Sequence, residues 1–195
     1  FPTYYVDNLC VNPSMRKKGI APKAIQTLYY EIRRKNTKIN NCLFKREGEM
    51  TAIVPLTTFS CKCYKLKNWN SKTKLHASIQ LIEIGISNLS LLVDYVAKHK
   101  NKLDCLIVPE VTNIANLIKN ENILVYGILQ NNNLISLYLF RDPAINYKEN
   151  SALELVGSLN SCIDTNIFIY GFHTALEKSS KKWKKSLILI TKHKL

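Results

Sequence analysis

The stretch that most constrains this chain is Tyr5-Val6-Asp7-Asn8-Leu9-Cys10-Val11-Asn12-Pro13-Ser14-Met15-Arg16-Lys17-Lys18-Gly19-Ile20-Ala21-Pro22, which reads as a strand, a basic turn and the opening of an amphipathic helix. Pro22 has φ fixed near the helical value and lacks an N–H, so it suits a first helical turn. Behind it, Ala21, Ala24, Ile25, Leu28, Tyr29 and Ile32 recur at spacings of three and four, with Lys23, Gln26, Glu31, Arg33 and Arg34 on the other faces. That period predicts a helix from Ile20 to about Lys35. Ahead of it, Leu9 and Val11 alternate with Asn8 and Asn12, which predicts a strand ending near Pro13.

The turn Arg16-Lys17-Lys18-Gly19-Ile20-Ala21 therefore falls where a helix presents partner-free backbone N–H groups and the positive end of its dipole. Gly19 can take a positive φ and lets a ligand reach the backbone, and three adjacent cations add charge. Helix N-termini of this kind bind anions, and the carboxyl edge of a strand is where α/β folds place ligands. A pyrophosphate fits this turn; a solvated basic turn is the plain alternative.

An apolar strand followed by Arg-x-x-Gly-x-Ala resembles the acyl-CoA signature of the GNAT acyltransferase superfamily. Asn8-Leu9-Cys10-Val11 and Met15-Arg16-Lys17-Lys18-Gly19-Ile20-Ala21-Pro22 are similar to the Phe-Leu-Cys-Val and Leu-Arg-Ser-Lys-Arg-Leu-Ala-Pro segments of protein N-myristoyltransferases. Met50-Thr51-Ala52, Pro55 and the run Cys61-Lys62-Cys63-Tyr64-Lys65-Leu66-Lys67-Asn68-Trp69-Asn70 continue the likeness in order, keeping Tyr64 and Asn70 in register. The similarity covers roughly residues 4 to 70. Beyond that only the order of elements agrees.

The resemblance implies an α/β fold with a GNAT-like mixed sheet flanked by helices, in two lobes of which the first is incomplete. Residues 1–72 would be the C-terminal part of a first half and 73–195 a shortened second half. It implies transfer of myristate from myristoyl-CoA, a co-substrate, to the N-terminal glycine of a protein. Carried over residue by residue, the backbone amides of Asn8 and Leu9 would form the oxyanion hole. Cys10 and Val11, with Arg16, Lys17, Lys18, Gly19, Ile20 and Ala21, would hold the coenzyme. Thr51 would lie near the reacting amine and Tyr64 and Asn70 near the peptide. The family's C-terminal carboxylate, which acts as base, would fall on Leu195, in a chain shorter than is usual for the family. The family's Trp-His pair is Lys65-Leu66 here, a departure on the peptide side. The chain opens at Phe1 in mid-lobe, so a preceding segment of the same protein would be a partner.

Other segments predict the rest of the sheet. Leu81 to Val96 has helical spacing, and Asn113 to Lys119 reads as a short helix. Ile123–Leu129 and Leu134–Phe140 read as a hairpin across Gln130-Asn131-Asn132-Asn133, since asparagine tolerates left-handed turns. Ile167–Tyr170 reads as a strand, followed by a helix after Gly171 and a last strand at Ser186–Ile190.

With 195 residues, 46% of them hydrophobic, the chain can bury a real core. No apolar run approaches the roughly 18 to 20 residues of a bilayer span, so a cytoplasmic, soluble protein is expected. Cys10, Cys42, Cys105 and Cys162 sit in apolar sequence and read as reduced core residues. Cys61 and Cys63 form the one close pair, and His76, His99, His173 and His193 are scattered, so no metal site is expected. The formal charge of +14 and the cluster Lys178 to Lys185 around Trp183 fit either a solvated basic face, the plainer reading, or contact with an anionic membrane or nucleic acid. Three alternatives to the transferase stay open: an inactive acyltransferase-like structural or assembly protein, an acetyl-CoA-dependent GNAT enzyme, and a basic nucleic-acid-binding protein.

Overall fold

A computed structural model describes residues 2–6, 9–45, 54–66, 78–103 and 106–192. The chain divides into two units, Phe1–Thr57 and Thr58–Leu195. The boundary expected between residues 72 and 73 lies outside the described residues. Strand β3, placed on sequence with the first part, is hydrogen-bonded into the sheet of the second.

The first unit is a strand–helix–strand crossover. Strand β1 (Tyr4–Val6) pairs in parallel with β2 (Cys42–Phe44), in register Tyr4 with Cys42 and Val6 with Phe44. Between them runs α1 (Ile20–Lys35), with the bounds its periodicity predicted. Parallel neighbours need a crossover of this length, and the helix supplies it. The strand predicted through Leu9 and Val11 is a correction: the described strand is Tyr4–Val6, and the residues from Leu9 to Asn12 make no ladder among the described residues.

The second unit holds a seven-stranded mixed sheet. Its strands are β3 (Ser60–Lys65), β4 (Ile79–Glu83), β5 (Ile123–Gln130), β6 (Asn133–Arg141), β7 (Asn146–Tyr147), β8 (Asn150–Asn160) and β9 (Leu187–Lys192). They lie in the order β3-β9-β8-β6-β5-β4, with β7 attached to β8. Among the described strands of this sheet only β8 and β9 are parallel, and the crossover between them is α4 (Thr165–Trp183). Helices α2 (Leu89–His99) and α3 (Val111–Lys119) precede β5.

Two buried clusters follow from the two-residue period of the strands. Leu124, Tyr126 and Ile128 of β5 and Tyr138 and Phe140 of β6 pack with Ala175 and Leu176 of α4. Val125 and Leu137, one step out of phase, pack with Leu92 and Tyr95 of α2, with Ile114 and Ile118 of α3 against them. Thus α4 covers one face and α2 with α3 the other. Gly171 sets how close α4 comes: a Cβ there would sit 2.2 Å from Ile128 Cδ1 and 2.6 Å from the Tyr138 hydroxyl. That hydroxyl donates to the Phe168 carbonyl at 2.7 Å, tying helix to sheet.

The β5–β6 hairpin turns at Asn131 and Asn132, with φ of 51° and 62°, the left-handed pair that asparagine tolerates. Two helical and strand expectations are corrected. Ile79–Glu83 is a strand because it extends the sheet against Tyr126–Gln130, and the helix begins only at Leu89. Ile167–Tyr170 lies in the first turns of α4, where the Asp164 cap starts the helix. Near its middle, β8 bulges opposite the Leu139–Phe140 step, leaving Val156 half-exposed. Its pairing with β9 stops at Leu155 while its pairing with β6 runs on to Asn160, so β8 and β9 part at the bulge.

Candidate functional site

The β1–α1 connection is built by short-range polar contacts. The Asn12 Oδ1 accepts from the Ser14 N–H at 3.0 Å and from the Ser14 hydroxyl at 2.9 Å, and the Asn12 carbonyl accepts from Met15 N–H at 2.8 Å. These bonds close the single 3-10 turn Pro13–Met15. The Arg16 Nε then donates back to the Val11 carbonyl at 3.3 Å, so the guanidinium bridges the two ends of that turn. Lys18 Nζ lies 3.6 Å from Met15 Sδ.

The backbone next adopts two left-handed residues, Lys17 at φ 63° and Gly19 at φ 73°. Gly19 is the cap of α1, and having no side chain it leaves the helix donors open. The first intrahelical bond comes from Lys23 N–H to Gly19 C=O, at 3.2 Å. The N–H groups of Lys17, Lys18, Gly19, Ile20 and Ala21 donate to no acceptor among the described residues. No acidic residue stands in the first turn, whereas Arg33, Arg34 and Lys35 end the helix. The result is a run of open backbone donors with cationic side chains around it, an arrangement that can accept an anion. Space above Gly19 is open: a Cβ added there would meet nothing within 4 Å.

Arg16, Lys17, Lys18 and Gly19 are exposed and contiguous in this turn, with Ile20 and Ala21 half-buried at the helix start. Leu9 and Cys10 are exposed and Val11 half-buried on the approach, so Cys10 is not the core residue its apolar setting predicted. Tyr64 lies on β3 of the second unit, with half its surface exposed. Asn8, Thr51, Asn70 and Leu195 lie outside the described residues. Sequence reasoning missed Asn12 and the Arg16–Val11 bond; the signal for the first was Asn-Pro-Ser, a common way to open a tight turn.

A cleft of about 420 Å³ in the same unit is lined by Tyr4, Tyr5, Val6, Leu28, Ile32 and Lys35. Leu28 is eight residues past Ile20, roughly 12 Å along the helix, so this cleft is distinct from the basic turn.

The second unit contains the corresponding junction, from β8 into α4, and it is chemically opposite. Asp164 caps α4, its Oδ1 accepting from Asn166 N–H at 2.8 Å. Ser161 N–H donates to the Ile135 carbonyl at 2.9 Å and Cys162 N–H to Asn160 Oδ1 at 2.9 Å. The Tyr95 hydroxyl donates to the Ile135 carbonyl at 2.8 Å and lies 3.1 Å from Ser161 Oγ, and burial pushes its pKa above the usual phenol value. One donor of the first helical turn, Asn166 N–H, is taken by the cap, and a carboxylate stands at the helix start.

The basic C-terminal segment is largely neutralised. Lys181 pairs with Glu177, Lys182 bridges Glu83 at 3.2 Å and Glu121 at 3.0 Å, and Lys185 meets Asp142 at 2.7 Å. Trp183 packs against the core cluster on the α4 face instead of offering a stacking surface. No helix among the described residues is long and apolar enough to cross a membrane.

A scan of protein-family models finds no match, and neither does a search of curated proteins. Solved structures do match. The N-myristoyltransferase of Saccharomyces cerevisiae, with bound myristoyl-CoA, aligns at TM-score 0.69 and 10% identity over 96% of this chain and 53% of its own. An aminoglycoside acetyltransferase from an uncultured soil metagenomic sample aligns at TM-score 0.51 and 10% identity, over 60% of this chain and 79% of its own. A probable acetyltransferase aligns at TM-score 0.50 and 10% identity, over 58% of this chain and 79% of its own. The chain thus spans about half the length of the yeast enzyme, and at this identity the likeness establishes the fold: a GNAT-like mixed sheet flanked by helices.

Proposed function

We propose that the β1–α1 turn binds the pyrophosphate of an acyl-CoA and that the chain is an acyltransferase of the N-myristoyltransferase type. The observation that carries this reading is the turn itself: left-handed Lys17 and Gly19 hold five backbone N–H groups open, with Arg16, Lys17 and Lys18 around them. Open helix-start donors beside three cationic side chains, with no acidic residue in the first turn, form the kind of environment that favours an anion over water.

In the proposed reaction the amides of Asn8 and Leu9 polarise the thioester carbonyl of myristoyl-CoA. The N-terminal glycine amine of a protein attacks that carbon directly, the carbon–sulfur bond breaks, and CoA leaves as the thiolate. The attacking amine gives its proton to a general base, and on the same reading Thr51 would serve the amine and Tyr64 and Asn70 the peptide. Oxyanion donors of this kind are each worth about two to three orders of magnitude in rate. Cys10 takes no acyl group in this scheme, so an isolated acyl-cysteine there would overturn direct transfer. The halves assigned to residues 1–72 and 73–195 belong to the same proposal, as does a location in the cytoplasm.

The test is calorimetric binding of CoA, acetyl-CoA and a non-hydrolysable myristoyl-CoA at two salt concentrations. Preference for the myristoyl form that survives the higher salt supports the assignment and leads to an assay with glycine-terminated peptides. Binding of all three alike, or binding abolished by salt, overturns it and favours an inactive acyltransferase-like protein. Preference for acetyl-CoA would point to the acetyltransferase reading.

A further inference from the structure

Cys61 and Cys63 take no part in the proposed transfer, and both are free and exposed. They lie two apart on β3, in regular antiparallel register with β9, Cys61 opposite Thr191 and Cys63 opposite Leu189. A strand alternates its side chains, so the two thiols project from one face and Lys65 follows them on it, while Lys62 takes the other. Strand β3 ends the strand order of the sheet, and all six of its residues are exposed.

Separation decides what such a pair can do. Two residues of strand put the Cα atoms, and the parallel Cβ atoms, about 6.6 Å apart. A disulfide needs Cβ atoms within about 4.5 Å, so closing one would break the ladder to β9. An atom bridging two sulfurs adds two bond lengths to the span and asks for no such distortion. Zinc in structural sites takes four ligands. Among the described residues no group of three or more His, Cys, Asp or Glu side chains could hold a metal. Two thiolates with no third donor among the described residues suit a soft monovalent ion that accepts two ligands, and thiolates select Cu(I) among such ions.

We infer that Cys61 and Cys63 form a two-thiolate binding site for a soft monovalent cation of the Cu(I) class on the exposed edge of the sheet. On binding, both S–H protons pass to solvent, two sulfur–metal bonds form and no electron moves. The bis-thiolate complex carries one negative charge, which Lys65 on the same face offsets. The expectation of no metal site rested on zinc chemistry, which this pair does not satisfy; the inference stands apart from the acyl-CoA reading.

The experiment is anaerobic titration of the reduced full chain with Cu(I), in competition with bathocuproine disulfonate, for the native protein and for Cys61→Ser, Cys63→Ser and Cys10→Ser. Because the second sulfur binds intramolecularly, losing either partner should weaken binding by about 10²- to 10⁴-fold. Cys10→Ser, which removes an isolated exposed thiol, should leave the affinity within about threefold. Retained affinity in Cys61→Ser or Cys63→Ser, or no one-to-one complex in the native chain, overturns the site. A second readout needs no variant: Cu(I) should slow alkylation of Cys61 and Cys63 together by N-ethylmaleimide while Cys10 reacts as before. Equal protection of all three, or of none, overturns it as well.

Discussion

Among the described residues the molecule contains two strand–turn–helix–strand units of the same topology, β1-α1-β2 and β8-α4-β9, and their turns differ in chemistry. In the first, a glycine caps the helix, donors stay open and cations crowd in. In the second, Asp164 caps the helix and neighbouring N–H groups are bonded within the chain. Parallel strand–helix topology alone therefore does not set the charge of the turn; the cap residue and its neighbours do. A carboxylate at the cap both uses a donor and repels phosphate, whereas glycine does neither.

The largest effect that would break this comparison is on ligand binding. Reversing charge at Arg16 and Lys18 together should weaken CoA binding about 100-fold, as expected for losing two charge-assisted contacts. The same reversal at Lys181 and Lys182 should change it less than about threefold, because those ammonium groups already face Glu177, Glu83 and Glu121. Equal losses in the calorimeter would mean diffuse electrostatics instead of a site at the turn.

Two glycines sharpen it further, since they serve different needs. Gly171→Ala should destabilise the fold by about 1–3 kcal/mol, seen as a lower denaturant midpoint, because the added methyl meets Ile128 and Tyr138 with no room to move. Gly19→Ala meets open space but a φ of 73°, so it should cost about 1–2 kcal/mol in backbone strain and lower CoA affinity about tenfold. Loss of CoA binding in Gly171→Ala without loss of stability would contradict this division.

Removing the second cap, by Asp164→Ala, should cost about 1 kcal/mol in thermal or urea unfolding and leave CoA affinity unchanged. The smallest effect is a pH slope. Burial lowers the pKa of His173, on α4, below its ordinary 6.5, so the unfolded chain binds that proton more readily than the folded one. Stability is then complete above about pH 6.5 and falls as the pH drops through the folded value. His173→Gln should flatten that part of the stability–pH profile; an unchanged slope would assign it elsewhere.

Some of this was legible because local and tertiary preferences agree. The helix Ile20–Lys35 was readable from its period and Pro22, and the hairpin from its asparagines, since a left-handed pair is what a two-residue turn requires. Other elements were not. Ile167-Phe168-Ile169-Tyr170 has strand composition, yet Asp164 starts a helix and Phe168 joins the core on the α4 face. Strand β8 was missed because its residues mix Asn, Ser, Glu and Gly with leucines, and only pairing with β6 makes it a strand. Residues 81–83 carry a helix-compatible spacing that pairing with β5 overrides.

By itself the sequence determined the basic turn, the helix it opens and the glycine that permits a positive φ, because each depends on residues within a few positions of one another. Tertiary structure alone decided which cations remain unpaired, for charge becomes available only where no distant carboxylate meets it: Glu83 lies 99 residues from Lys182. It also decided the course of the sheet, since a strand such as β8 or Ile79–Glu83 exists only where a partner pairs with it.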